Sequence, residues 1–308
     1  MKLTKWQQEI IKLEQKADRN VNRQLWSIYN DVLKDVRKSL KKYIDHYETL
    51  PEYRKAELLG LTQLEDEIVE LLNSAYPTAK LVVTDFKEKS AIQGYYSTFW
   101  QVERETGVSL SFNHLDKRLV REMVKEPITG KTLSQRMYKQ RNKLANQAQK
   151  SISNGLVQGK SYVQIAKEIE SATEATYKQA LRITRTESGR LRSLAKEQAM
   201  NEAEAVGVEF EKMWVSTLDN RTRGTHRNLD GQIRKKEEKF KSSSGYEATA
   251  PKLFGVARED INCRCTFVLV VYGIKPSHRR AGKEVMEYMN YQQWWKKHGE
   301  SRYGKKGV

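Results

Sequence analysis

The sequence predicts an α+β protein that is mostly α-helical, with a long N-terminal helical arm, a small α+β unit containing a short sheet, and a C-terminal helix. Apolar residues recur at steps of three and four up to about residue 204, which is typical of helices. After Gly207, aromatic and β-branched residues alternate with turn residues, which is typical of short strands. We therefore expect a helical arm over 1–130, a second domain over 131–275, and a basic helix and tail over 276–308.

The arm begins with a predicted helix over residues 4–47, where the apolar steps are 3 or 4 and no Gly or Pro intervenes. Its apolar stripe needs a partner, which is either the following helices, the alternative we favour, or another chain. Pro51 is expected to start a second helix and Pro77 to end it, because proline suits the first turn of a helix and disrupts its interior. A third helix is predicted over 80–105 and a short basic helix within 113–127.

The second domain is predicted to continue with helices from about Thr132 to Leu156, over 161–171 and over 173–204. A Gly-x-x-x-Gly-Lys-Ser run ends at Ser161, one residue short of the phosphate-binding loop spacing, and it follows a helix rather than a strand. We interpret it as a helix C-terminus followed by Ser161 as the next N-cap.

The α+β unit is predicted from its strand and turn signals. Asp230-Gly231 is a hairpin signal, and residues 241–251 are expected to form a loop. The last helix is expected over Ala281–His298. The predicted strands are Val208–Thr217, a short one beginning at Gln232 and Ile233, and a buried one over Cys265–Tyr272.

Positive charge is concentrated in three segments of a chain whose net charge is +17. Residues 117–150 carry ten Lys and Arg against two Glu, residues 219–241 eight against four acidic residues, and residues 276–308 eight against three. A polyanion such as double-stranded DNA suits these patches, although Lys and Arg can also serve only to solvate helices. The candidate DNA contacts are Lys117, Arg118, Arg121, Arg136, Lys139, Arg141, Lys143, Arg234, Lys235 and Lys236.

The N-terminus lacks the pattern of a signal peptide, and no apolar run reaches the roughly 18 residues of a membrane span. We therefore expect a soluble protein, without a membrane anchor, that is made in a cytosol. The chain has only two cysteines, Cys263 and Cys265, which do not make a disulfide framework.

His226, Cys263 and Cys265 form a candidate metal site, because thiolates and an imidazole are ligands that Zn²⁺ prefers. A fourth ligand would be needed, and Asp219 and Asp230 are near in sequence. The alternative is that both cysteines pack as small apolar residues at a strand start. We expect no cofactor, with zinc left open.

Two further polar groups have alternative interpretations. Glu187 either forms an intramolecular ion pair, with Arg190 or with a residue of the α+β unit, or serves as a catalytic carboxylate. The turn with Asp219, Arg221 and Arg223 is either a site or a turn held by its aspartate.

Two more residues are assigned from their position in predicted strands. Arg264 points away from both cysteines if that segment is extended, and it could then pair with Asp219, Asp230 or Glu187. Trp214 is expected in the core of the α+β unit together with Phe240.

The order of these motifs resembles the phage head morphogenesis or minor head protein family typified by phage Mu protein F. The resemblance covers about residues 130–270, and its most specific part is the closing Asn-Cys-Arg-Cys. The N-terminal arm and the C-terminal tail carry no matching motif. The matching positions are Arg185, Glu187, Trp214, Asp219, Arg221, Arg223, His226, Leu229, Gly231, Asn262, Cys263 and Cys265, and Arg264 between the cysteines is a further candidate structural residue.

The resemblance implies a minor protein inside the capsid of a tailed phage, synthesised in the cytoplasm of the bacterial host. It implies a role in head assembly at the portal vertex and in the handling or ejection of packaged DNA. The implied partners are the portal protein, the scaffold or capsid, and double-stranded DNA bound without sequence preference. The resemblance brings no established enzymatic activity. The alternative is a metal-dependent nuclease or a transferase built from Glu187, Asp219, His226 and the cysteines.

Overall fold

The computed structural model describes residues 3–49, 51, 61–110, 112–125, 132–217 and 219–274. Its helices and strands confirm an α+β fold that is mostly α-helical. Numbered here in chain order, the elements are α1 (Lys5–Glu48), α2 (Leu61–Thr106), α3 (Lys117–Lys125), α4 (Leu133–Val157), α5 (Tyr162–Ala205), β1 (Val208–Val215), α6 (Gly224–Arg227), β2 (Ile233–Arg234), β3 (Phe240–Lys241), β4 (Glu247–Ala248), α7 (Ala257–Asp260) and β5 (Thr266–Ile274).

Two predicted helix breaks are wrong. Pro77 lies inside α2 rather than at its end. Buried Leu72, Ala75, Ala79 and Val83 continue one apolar face past the proline, and their burial offsets the roughly 3 kcal/mol that an interior proline costs.

The break predicted between 171 and 173 is also absent, because α5 runs unbroken from Tyr162 to Ala205. The hydroxyl of Thr173 donates to the carbonyl of Ile169 at 2.8 Å, so this polar side chain is satisfied within the helix. The start of α5 agrees with the sequence. Ser161 caps it, accepting from the Gln164 amide, while the Gln164 side chain accepts from the Ser161 amide at 2.8 Å.

The chain divides into two compact units. The helical unit comprises residues 19–83 and 130–183, and the mixed unit comprises residues 1–18, 84–129 and 184–308. The division predicted at 130/131 falls among residues outside those described, and each unit draws on both sides of it. The boundary predicted at 275/276 and the helix predicted over Ala281–His298 also lie outside the described residues.

The helical unit has an apolar core made by the facing sides of its helices. Residues recurring at three and four positions supply this core, as the sequence pattern requires. Its buried members are Val36, Leu40, Leu64, Ile68, Leu72, Leu144, Ala148, Ile152, Ile165, Ala166 and Ile169.

The mixed unit has an aromatic core carried by α2. Tyr95, Tyr96, Phe99 and Trp100 are all fully buried there. Phe99 stacks on Phe112 with ring centroids 4.0 Å apart. Apolar residues of α5 and of β5 complete this core.

The described sheet of the mixed unit has the strand order β2-β1-β5, with antiparallel pairing throughout. β5 pairs with β1 along its length, with a register shift between Glu209 and Phe210. Gln101 of α2 covers the outer edge of β5, donating to the carbonyl of Leu269 at 2.7 Å and accepting from its amide at 3.3 Å. This amide pair satisfies edge groups that would otherwise need another strand or water.

The segment predicted as a loop over 241–251 contains a small hairpin, since β3 pairs with β4. Gly245, with φ of +87°, supplies the turn conformation that other residues rarely adopt. The hairpin places Phe240 in the buried cluster around Trp214. Among the described residues, no helix combines the length and apolar character that crossing a membrane requires.

Candidate functional site

His226 is the buried centre of the motif-rich region, with 1% of its surface exposed. It lies in the single helical turn α6, directly after the polar turn that follows β1. Its Nε2 lies 2.9 Å from the carboxylate of Glu259 in α7. Thr225 donates to the same carboxylate at 3.1 Å and Ser244 to its other oxygen at 2.5 Å. Burial acts to raise the pKa of Glu259, but these hydrogen bonds and His226 outweigh it and hold that pKa below its ordinary value.

The two cysteines face the other nitrogen of the same ring. The Sγ atoms of Cys263 and Cys265 each lie 3.5 Å from Nδ1 of His226. Both side chains are buried and neither forms a disulfide. Side chains alternate along the extended segment between α7 and β5, so both sulfurs lie on one side and Arg264 on the other.

The thiols differ in acidity because they interact with each other. Cys263 donates to Cys265 and His226 adds a further contact, so the pKa of Cys265 is lowered to about 4 despite burial. The same interaction and burial raise the pKa of Cys263 well above its usual range.

Aromatic rings enclose this cluster, and Trp214 lies in the core as predicted. The Trp214 ring centroid is 5.5 Å from that of His226 and 5.2 Å from that of Phe240. Its indole N–H donates to Ser216 Oγ at 3.0 Å, and Ser216 donates in turn to the carbonyl of His226 at 2.7 Å. This chain of hydrogen bonds links β1 to the helical turn that carries the histidine.

The polar turn after β1 is held by an ion pair on the far side of the Cys-Arg-Cys segment. Arg264 donates to both carboxylate oxygens of Asp219, one of them at 2.5 Å. These hydrogen bonds keep the pKa of Asp219 well below its usual range. Of the three partners that the sequence suggested for Arg264, the structure selects Asp219.

The neighbouring arginines have different surroundings. Arg221 has 78% of its side chain exposed and lies 3.5 Å from Asp219. Arg223 donates to the carbonyl of Glu259 at 3.3 Å and also to that of Ile261, which ties the turn to α7.

Neither aspartate suggested as a fourth metal ligand belongs to the Cys–His cluster. Asp219 is paired with Arg264, and Asp230 accepts the backbone amide of Ser216 at 2.6 Å. Among the described residues, the group of metal-ligating side chains that lies together is His226, Cys263 and Cys265. Gly231 has a φ of +76° and donates its amide to the Trp214 carbonyl at 2.9 Å, so it serves the hairpin turn.

The Arg-Thr-Glu motif of α5 anchors the loop that carries the cysteines. Asn262 has a φ of 60°, in the left-handed region, and its side chain accepts from Arg185. Its amide donates to the hydroxyl of Thr186 at 2.9 Å. Glu187 forms the predicted intramolecular ion pair, but with Lys87 of α2, at 2.9 Å and fully buried.

Sequence reasoning missed Glu259, Ser216 and Lys252. Lys252 is buried, has a φ of 71°, and donates to the carbonyl of Cys265 at 2.6 Å. Its side chain crosses Gly189 of α5 so closely that a Cβ there would lie 2.3 Å from it. Polar residues in loops show no periodic pattern that predicts burial. A glycine inside a predicted helix, Gly189, was the available signal, because it leaves room for a neighbouring side chain to approach the helix.

The candidate DNA contacts are not equally accessible. Arg118 and Arg121 of α3, Lys139 and Lys143 of α4, and Lys235 are exposed. The side chain of Lys117 lies outside the described set, and Arg136 is partly buried.

Three of the candidate DNA contacts are held by other protein groups. The Arg141 guanidinium lies 3.9 Å from the ring centroid of Tyr138. Lys236 pairs with Glu204, and Arg234 donates to Gln232 at 2.9 Å.

Comparison with known proteins places these motifs in a phage context. The family described as Phage Mu protein F like protein matches residues 146–268. Minor head protein GP7 of Bacillus phage SPP1 is 30% identical over 298 residues, which cover 94% of this chain and 96% of that protein. No solved structure matches.

Another relative has an enzymatic name. The NAD(+)–arginine ADP-ribosyltransferase EFV of Enterococcus faecalis is 38% identical over 295 residues, which cover 95% of this chain but 60% of that protein. An uncharacterized protein of Haemophilus influenzae is 26% identical over 194 residues, covering 63% of this chain and 39% of that protein.

The similarity to GP7 over nearly the whole of both chains, together with the family match over the motif-rich residues, shows the family of this chain. The chain belongs to the phage Mu protein F-like family of minor head proteins.

Proposed function

We propose that this protein is incorporated into the head of a tailed phage, at the portal vertex, and that it contacts the packaged DNA there without sequence preference. The observation that carries this proposal is the similarity to a named minor head protein over nearly the whole of both chains. Proteins alike over their full lengths share their domains, so a role of the whole chain is the natural one to transfer.

The charge distribution supports the DNA contact. The chain carries a net charge of +17, and exposed Lys139 and Lys143 lie one helical turn apart on α4. Lys and Arg on a surface displace counterions from the phosphate backbone, which gives binding that depends on salt rather than on sequence. Such binding suits a protein that must contact packaged DNA of any sequence.

The experiment is co-expression of this chain with the portal, scaffold and capsid proteins of its phage. We expect it to sediment with procapsids when the portal is present and to be lost from particles assembled without portal. A chain absent from portal-containing particles would overturn the head assignment. Equal incorporation with and without portal would overturn the portal site.

The transferase name of the Enterococcus relative suggests a second candidate function, an enzyme using Glu187, Asp219 and His226. Each of these groups has an internal partner here: Lys87, Arg264 and Glu259 respectively. A group that is already paired inside the protein is less available to act on a substrate, which favours a structural role. Incubating the purified chain with labelled NAD and arginine-containing acceptors separates the two functions. Label transfer that Glu187→Gln abolishes would favour the enzyme.

A further inference from the structure

We propose that His226, Cys263 and Cys265 bind one zinc ion, through Nδ1 of the imidazole and the two Sγ atoms. The cluster lies within the mixed unit, and the proposal that it binds zinc does not depend on the proposed function. It lies at the junction of three short segments: the end of β1 with α6, the helical turn α7, and the start of β5.

The geometry around Nδ1 of His226 fits a shared metal ion. Both sulfurs lie 3.5 Å from this one nitrogen. A ring nitrogen has either one lone pair or one proton, so it cannot form directed hydrogen bonds to two thiols at once. In a tetrahedral site with Zn–N of about 2.0–2.1 Å and Zn–S of about 2.3 Å, the nitrogen and each sulfur are about 3.6 Å apart. The observed spacing matches that of ligands around a shared metal.

The three buried ligand atoms are of the kinds that zinc prefers. The three ligand atoms lie within 4.8 Å of one another and all three residues are buried. Two thiolates neutralise a divalent cation, so a buried complex carries no net charge and avoids the cost of burying an ion alone. Sulfur and imidazole donors select zinc over magnesium or calcium, which prefer oxygen.

A hydrogen bond from Nε2 to Glu259 orients the His226 ring. Glu259 accepts from Nε2 at 2.9 Å, which places the ring proton on Nε2 and leaves the Nδ1 lone pair directed toward the sulfurs. Thr225 and Ser244 hold that carboxylate in place. A carboxylate on the far nitrogen is the usual orienting partner of a histidine that binds zinc.

Among the described residues, no fourth side chain joins these three ligands. Asp219 and Asp230, the nearby carboxylates in sequence, are engaged with Arg264 and with the Ser216 amide. Three protein ligands and one exchangeable oxygen are a known zinc arrangement. In this chain the ion would join α6 to the segment before β5 and thereby fix the start of the strand that spans the sheet.

The main test is the metal content of the full chain expressed and purified without chelator. We expect one zinc per chain by elemental analysis, and loss of zinc in Cys265→Ser and in His226→Asn. His114→Asn is the matched control, since His114 also makes a ring hydrogen bond, to Tyr96, but lies outside the cluster. Absence of zinc, or equal zinc in the wild type and Cys265→Ser, would overturn the proposal.

A second test does not require the ligand variants to fold. Glu259→Gln keeps all three ligands but replaces one acceptor oxygen and the negative charge behind His226 with an amide group, so we expect zinc affinity to fall by about 10- to 100-fold. Adding cobalt(II) to metal-free wild type should give the absorption bands of thiolate-bound tetrahedral cobalt. A spectrum without thiolate charge-transfer bands, or unchanged affinity in Glu259→Gln, would contradict the assigned ligand set.

Discussion

The helical unit and the mixed unit bury different kinds of polar side chain. In the described part of the helical unit, the buried polar residues are Thr173 and Thr176, whose hydroxyls donate to carbonyls of their own helix. Among its described residues, the mixed unit buries four lysines together with carboxylates, an arginine and a histidine. The helical unit is specified mainly by its apolar pattern, whereas the mixed unit adds particular polar pairs to its aromatic core.

Each buried lysine of the mixed unit joins separate segments of that unit. Lys87 links α2 to α5, and Lys196 links α5 to Glu14 of α1 and to β5. Lys212 donates to the carbonyl of Lys236 at 2.6 Å, and Lys252 to that of Cys265 at 2.6 Å. Because a buried charge tolerates few arrangements, these contacts specify how loops meet helices where apolar packing alone would not. Substitutions matched within each unit test this difference between them.

The largest effect is expected at the buried pair of the mixed unit. Lys87→Met leaves Glu187 buried without its lysine, so the free energy of unfolding should fall by about 3–5 kcal/mol in denaturant titration. Lys89→Met is the control on the same helix, because the Lys89–Asp85 pair is exposed, and it should change stability by less than about 1 kcal/mol. Adding Glu187→Leu to Lys87→Met should recover part of the loss. Equal effects of Lys87→Met and Lys89→Met would refute the special role of buried charge.

In the helical unit, the corresponding test is a cavity. Ile68 is fully buried in the apolar core, so Ile68→Ala should cost about 2–5 kcal/mol of unfolding free energy. Leu81, on the same helix, is 69% exposed, and Leu81→Ala should stay within about 0.5 kcal/mol. Urea titrations of both variants at one pH decide this. A small loss at Ile68 would show that apolar packing does not specify this unit.

The units should also differ in their response to acid. Burial acts to raise the pKa of Glu14, but Lys196 and Arg192 lower it below its ordinary 4.5. A carboxylate with a lowered folded pKa stabilises the fold above its unfolded pKa, and this contribution is lost as pH falls through the folded pKa. Stability should therefore drop below about pH 5, and Glu14→Gln should flatten part of that drop. Exposed Glu70→Gln is the control that removes one carboxylate from the helical unit, and identical profiles for Glu14→Gln and Glu70→Gln would contradict the assignment.

The smallest structural effect and the clearest binding effect are expected on the helical unit's surface. Lys139→Gln with Lys143→Gln should leave stability almost unchanged while reducing the slope of log K against log salt by about 2 for duplex DNA. Lys34→Gln with Lys178→Gln removes the same charge from lysines already paired with Asp31 and Glu174. If both double variants change the slope equally, net charge rather than α4 governs DNA binding.

The predictability of the two units from sequence follows the same division. Periodic apolar positions predicted α1 and α4 closely, because a three-to-four step records burial directly. The break at Pro77 was wrong because tertiary packing outweighs local propensity. The motif residues were found, but Lys87 and Glu259 were not, since their burial depends on contacts far along the chain that no local pattern encodes.

If zinc at His226, Cys263 and Cys265 holds the motif-rich part of the mixed unit together, removing the ion should loosen that part alone. Hydrogen exchange followed by mass spectrometry, with and without a strong zinc chelator, measures this. We expect chelation to raise exchange in peptides covering residues 214–229 and 257–270, and to leave peptides of the helical unit unchanged. Exchange that is unaffected by the chelator, or raised equally in both units, would show that no metal ion stabilises this cluster.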